Sequence, residues 1–524
     1  MKKRLLTTCL SLFFISSTFA LSSCDIFGGT SSGSQGLTYE LVDGSYTVTG
    51  RGTCEDGVID IPAKYKGKAV TTIGENAFAN DQLIGVLNIP DSVTTIEKSA
   101  FDGCSNISDV VMGNGVTEIG DKAFNLCGWL SNLDLSESLV EIGEYAFYGC
   151  RRLKTLELPD SLKIISTHAF DFCEVLEQIE FGTSLEVIGE KAFLDCKKLK
   201  AIEIPDGAPT EIKPYAFEKC TVVEKIILGD SVISIGSNAF TETRVKEVVI
   251  GDGVKYIADS AFAGLKRMYK VTLGAGLITI ADNAFASCVG IREVYNRSTF
   301  NVVVGAETCG EIAKYAIYVR TGDEPSKITQ DEQGVLYMMD GRKKIVIGAV
   351  LDDYTNIVLP DDVDEIAERA FYNVDYVKSF DTGAGCKVIG ASAFQNCYHL
   401  EKLVIGKSVK TIGSGAFYRN RVLVTVVIRG KLESVGENAF WKYTRDEKGN
   451  LADKTAKEFE NLFFEGTSEE WQEVKKAFVL TGKGAANGDL VANSKVKISF
   501  YSETRPTSSG NYWFYKDGKP TLWN

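Results

Sequence analysis

The chain has 524 residues, with 57 Lys plus Arg, 70 Asp plus Glu and only 2 His. A net charge of −13 leaves no basic excess to displace phosphate counterions, which argues against a nucleic-acid binder. Two His are few for an enzyme built on His bases or His metal ligands, while 44% hydrophobic residues are enough to bury a core.

Residues 1–23 read as an address. Lys2, Lys3 and Arg4 precede an apolar run from Leu5 to Leu21, as in a secretory signal. The run ends Leu21-Ser22-Ser23-Cys24, which resembles the bacterial lipoprotein box. That resemblance implies cleavage before Cys24 and acylation of Cys24, so that the protein is lipid-anchored outside the cytoplasm, at the membrane or cell surface. Residues 24–36, rich in Gly and Ser, then form a flexible tether.

A repeat sets the fold. An Ala-Phe pair recurs with its ring at Phe78, Phe101, Phe124, Phe147, Phe170, Phe193, Phe217, Phe240, Phe262 and Phe285, then at Phe371, Phe394, Phe417 and Phe440. A steady period near 23 residues means a solenoid of stacked coils. Each unit carries a piece of the Leu-x-x-Leu-x-Leu type, with Ile, Val or another apolar residue often in place of Leu, which alternates like a short strand and stops at Pro or Gly, as at Pro159 and Gly182. The piece Ile-Gly-x-x-Ala-Phe-x-x-Cys spaces its apolar residues for one or two turns of helix, with Ile142, Ala146, Phe147 and Cys150 on the buried face.

These units resemble the BspA-type leucine-rich repeat family of surface proteins. The resemblance implies an α/β, right-handed leucine-rich-repeat solenoid whose coils hold a short strand and a short helix. It also implies adhesion or protein–protein contact, to host matrix or another surface protein; the expected reading of the chain is a binding protein with no catalysis and no cofactor. Residues 37–69 look like the family's N-terminal cap, 70–290 form a first block and 357–441 a second. Residues 291–356 depart from the pattern. A hairpin about Asp340-Gly341 either closes one block and opens the next, or belongs to a degenerate repeat pair that keeps the stack continuous. Residues 442–524 are expected to cap the open end, with Trp513 and Trp523 in a core.

The chemistry-bearing residues read mostly as structure. Eight Cys follow a ladder Phe by three residues, from Cys104 to Cys397, as small core thiols rather than zinc ligands. His168 and His399 fall in variable, solvent-facing slots of the repeat. No phosphate loop or dinucleotide fingerprint appears, so an enzyme would need a deep polar pocket in the insert or the tail. The outward strand positions run Asn88, Val111, Asp134, Glu157, Glu180, Glu203, Ile227, Val249, Thr272 and Tyr295. Stacked coils turn Asp134, Glu157, Glu180 and Glu203 into an acidic ladder, a candidate face for a cationic or Ca²⁺-bridged protein partner, with Lys154 and Lys200 placed to relieve two of the acids. The segment Tyr512-Trp513-Phe514-Tyr515 resembles aromatic cell-wall-binding repeats, and suggests polysaccharide or nutrient capture as an alternative.

Overall fold

Each coil contributes one front strand and one side strand, because it repeats the same alternation of inward and outward residues, and strands of successive coils pair in parallel. The computed structural model describes residues 33–322, 325–351, 353, 355–442, 455–478, 488–491, 496–507, 510–517 and 519–523. It is a parallel-strand solenoid of about 17 turns. The front ladder comes from the Leu-x-Leu pieces, such as Val86–Ile89, Asp109–Met112 and Ala201–Ile204. The side ladder comes from the residues before the Ile-Gly corner, such as Glu118–Ile119 and Glu141–Ile142. In the side ladder Ile119 pairs with Ile142, and Ile142 with Ile165, one coil further on. The signal segment, Cys24 and most of the tether lie outside the described residues. Ser34, at the tether's end, already donates its N–H to the Asp60 carbonyl at 2.8 Å.

The third side of each coil is not helical, contrary to the expected short helix. Its residues two before and two after the ladder Phe sit in the left-handed region: Lys122 at φ 55°, Leu126 at 58°, Tyr145 at 56°, His168 at 57° and Phe172 at 59°. A right-handed helix of L-residues cannot pass through such positions. The backbone bonds follow suit. The N–H groups of Lys122, Phe124 and Leu126 donate to the carbonyls of Glu144, Ala146 and Tyr148 in the next coil at 2.7–2.8 Å. The intervening Ala123 and Cys127 turn back to Gly120 and Phe124 of their own coil. The third side is therefore a chain of tight turns stitched to the next coil. Helices among the described residues are confined to Ser468–Lys476 and Gly488–Val491 near the C-terminus.

Inside, the ladder Phe rings stack. Phe124 and Phe147 lie 5.2 Å apart at 3°, and Phe147 and Phe170 5.1 Å apart at 4°. The ladder thiols are free and buried, and each donates to the Phe carbonyl of the preceding coil, as Cys150 does to Phe124 and Cys173 to Phe147, both at 3.5 Å.

The core divides in the insert, one cluster ending at Ala316 and another starting at Val335. Tyr318–Arg320 adds a last parallel strand beside Glu293–Asn296. The hairpin Val335–Asp340 with Lys343–Ala349 then starts the second side ladder, Val346 pairing with Ile366. Arg292 ties the two blocks together: its guanidinium is buried and donates to the carbonyls of Val289, Ile291, Ile347 and Ala370. At the far end, Thr467 and Glu470 form a capping box that opens the helix Ser468–Lys476, whose Trp471 and Val474 are buried.

Candidate interaction face

Wherever the front strands pair, the outward positions stack in the expected register. Asn88 pairs with Val111 and Val111 with Asp134; Glu157 pairs with Glu180; Glu203 pairs with Ile227, and the strip continues through Val249 and Thr272 to Tyr295. Within the first block the front sheet breaks in two places, between Asn132–Asp134 and Thr155–Glu157, and between Gln178–Glu180 and Ala201–Ile204. Both breaks fall where one ladder acid would oppose the next. Two unit charges about 5 Å apart in water repel by about 1 kcal/mol, so each closed step carries a modest cost.

All four acids are exposed. Asp134, Glu157 and Glu180 have no ion-pair partner among the described residues. Glu203 meets Lys225 at 3.3 Å. The expected relief by Lys154 and Lys200 is not realised, because Lys200 reaches Glu177 on the same corner rather than a ladder acid. With Glu137, Asp160 and Phe181 the first three acids line a groove of about 580 Å³. Among the described residues no group of three or more His, Cys, Asp or Glu converges to hold a metal ion.

A second acidic row was missed. Asp91, Asp160, Asp230 and Asp252 follow the Pro or Gly that ends a front strand, and each carboxylate accepts the backbone N–H of the next coil, as Asp160 does from Thr183 at 2.9 Å. Those bonds hold the Asp160 carboxyl below its usual range. The recurring Pro/Gly-Asp pair was the available signal. These acids fix register; the ladder acids do not.

His168 is not the solvent-facing residue its slot suggests. Its ring stacks on Tyr145 at 4.5 Å, and Nδ1 lies 2.7 Å from Asp171 Oδ2. Asp171 is 1% exposed and its Oδ1 is buried without a partner. Burial pushes the Asp171 carboxyl up to about 6, against the lowering pull of His168. No nucleophile is bonded to His168 among the described residues, so the pair lacks the third member of a triad. His399 is exposed, as its slot implies.

The aromatic tail turns inward. Trp513 is fully buried over Val404, Val427 and Phe463, the outward strip of the second block, and its indole N–H donates to the Phe464 carbonyl at 3.1 Å. Trp523 is only half-buried, stacked on Phe514 at 4.0 Å rather than placed in a core.

A family model described as BspA type leucine rich repeat region matches residues 71–200, 186–304 and 351–469. Among solved structures, the chain is similar to a leucine-rich repeat protein from Bacteroides ovatus, at 20% identity over 88% of this chain and 98% of that one, with a TM-score of 0.43. It is similar too to a leucine rich cell surface protein from Faecalibacterium prausnitzii, at 18% identity over 84% and 96%, TM-score 0.32. The pneumococcal vaccine antigen PcpA matches at 18% identity over 90% and 93%, TM-score 0.26. No curated protein matches.

Proposed function

We propose that this chain, which belongs to the BspA-type leucine-rich repeat family, is a lipid-anchored surface protein outside the cytoplasm that holds a protein partner on its front strands and catalyses nothing. The anchor rests on the Leu21 to Cys24 box. No helix among the described residues is long and apolar enough to cross a membrane. The observation that carries the binding reading is the row Asp134, Glu157 and Glu180: exposed, on successive front strands, lining one groove, and with no ion-pair partner among the described residues. A cationic protein surface would relieve that repulsion, and its affinity would fall as salt rises. Capture of polysaccharide by the aromatic tail is disfavoured, because Trp513 is already packed against the second block.

The test replaces Asp134 by Asn and Glu157, Glu180 and Glu203 by Gln in one variant. Host matrix proteins are arrayed against wild type, and the strongest binder is titrated at two salt concentrations. The expected result is at least about a tenfold loss of affinity in the variant, with its unfolding midpoint unchanged or higher. Unchanged affinity refutes the front-face assignment.

A further inference from the structure

A cavity of about 190 Å³ opens where the corner turns of the first block meet the hairpin and first coil of the second. Its described lining residues carry an excess of positive charge in a chain that is acidic overall. Arg244 and Lys266 are exposed and form no ion pair among the described residues. Arg267 lies over the Tyr376 ring, 4.8 Å from its centroid. Arg292 is buried with its donors held by backbone carbonyls, so it adds charge rather than a free hydrogen bond. Burial lowers its affinity for the proton, to a pKa of about 10, which leaves it cationic at neutral pH.

Against these stands one carboxylate among the described lining residues, Asp375, whose Oδ1 is buried with no hydrogen-bond partner. A buried acceptor of this kind calls for a donor. The rings of Tyr372 and Tyr376 and the side chains of Leu351 and Val374 supply the apolar part of the wall. The volume is below the roughly 300–1,000 Å³ of pockets that hold drug-sized ligands, and suits a single small ring.

From this combination we infer that the junction cavity binds an acidic monosaccharide unit, a hexuronate, with its carboxylate toward Arg244 and Lys266 and a hydroxyl donating to Asp375. A net positive wall selects a net anion over a zwitterion or a neutral sugar. Guanidinium and ammonium groups pair the carboxylate. The Tyr rings pack the C–H face of the pyranose. The site is separate from the front ladder and does not rest on the protein-binding reading.

The full chain is titrated calorimetrically with glucuronate and with glucose. Glucuronate binds saturably, and glucose binds at least about tenfold more weakly. The pair Arg244→Glu with Lys266→Glu, both exposed and so tolerated by the fold, lowers glucuronate affinity by at least about tenfold. The pair Lys98→Glu with Lys163→Glu, exposed cations elsewhere, leaves it within about twofold, as does the quadruple front-face variant. Absence of saturable glucuronate binding, equal affinity for the two sugars, or equal losses in the two cation pairs overturns the assignment.

Discussion

Replacing Phe170 by Ala tests the stacking that holds the coils together. Phe170 is fully buried between Phe147 at 5.1 Å and Phe193 at 5.3 Å, all three rings nearly coplanar in orientation. Truncating a buried Phe costs about 3–5 kcal/mol, through lost transfer energy and the cavity left behind. Each aromatic pair contributes about 0.5–1.5 kcal/mol beyond area burial. Phe78 starts the stack and has one ladder neighbour, Phe101 at 5.1 Å. Phe78→Ala therefore costs less than Phe170→Ala by about one such pair, 0.5–1.5 kcal/mol. Because each coil contacts only its neighbours, the interior loss also weakens coupling along the stack and lowers the denaturant slope. Urea unfolding followed by circular dichroism and by Trp fluorescence measures both quantities. Equal losses at Phe78 and Phe170, or a comparable loss for the exposed His399→Ala, would refute the stacking argument.

Three further outcomes follow from other residues. Asp171 has a folded pKa of about 6 against about 3.9 unfolded; with the folded value raised, the stability of its neutral form is full below about pH 4 and is lost as pH rises through 6. Asp171→Asn should thus gain in unfolding midpoint relative to wild type across that window, and parallel midpoint curves would contradict it. The ladder thiols, with Cys104 and Cys288 pushed up to about 12 by burial, should resist iodoacetamide in native protein and react on unfolding, read by mass spectrometry. Cys24→Ala should abolish fatty-acid labelling and release the protein to the soluble fraction; retention in membranes would remove the anchor.

The period, the buried Phe and Cys positions and the outward ladder were legible because all three depend on one register, which recurrence makes visible. The third side was not. Helical spacing at Ile142, Ala146, Phe147 and Cys150 places them inside equally well when the backbone alternates between right- and left-handed turns, so burial alone could not separate the two. Asn76, Asn80, Asn238, Gly103 and Gly149 occupy left-handed positions and were a hint; Lys122, Tyr145 and His168 in equivalent places concealed it. The pairing of His168 with Asp171 occurs in one coil, and a repeat average erases it. The lysine partners were misassigned because Lys200 reaches a corner acid one coil back rather than across the strand face. The inward turn of Trp513 depends on where a non-repeating tail ends up, which no periodicity encodes.

The stitching of the third side also gives the stack an electrical direction. In coil after coil the N–H groups of alternate residues point toward the C-terminal neighbour, and the carbonyls that receive them point back. Peptide dipoles of about 3.5 D are thereby aligned along the solenoid axis, as in a helix but with the partial negative end facing the N-terminus. Where a stack begins, its first receiving carbonyls have no coil before them. At the start of the second block one of these is Ala370 O, and the group donating to it is the guanidinium of Arg292 at 3.1 Å. A buried cation is thus stabilised in part by the otherwise unpaired carbonyl pole of the block it meets, and Arg292→Leu would leave that pole facing apolar surface.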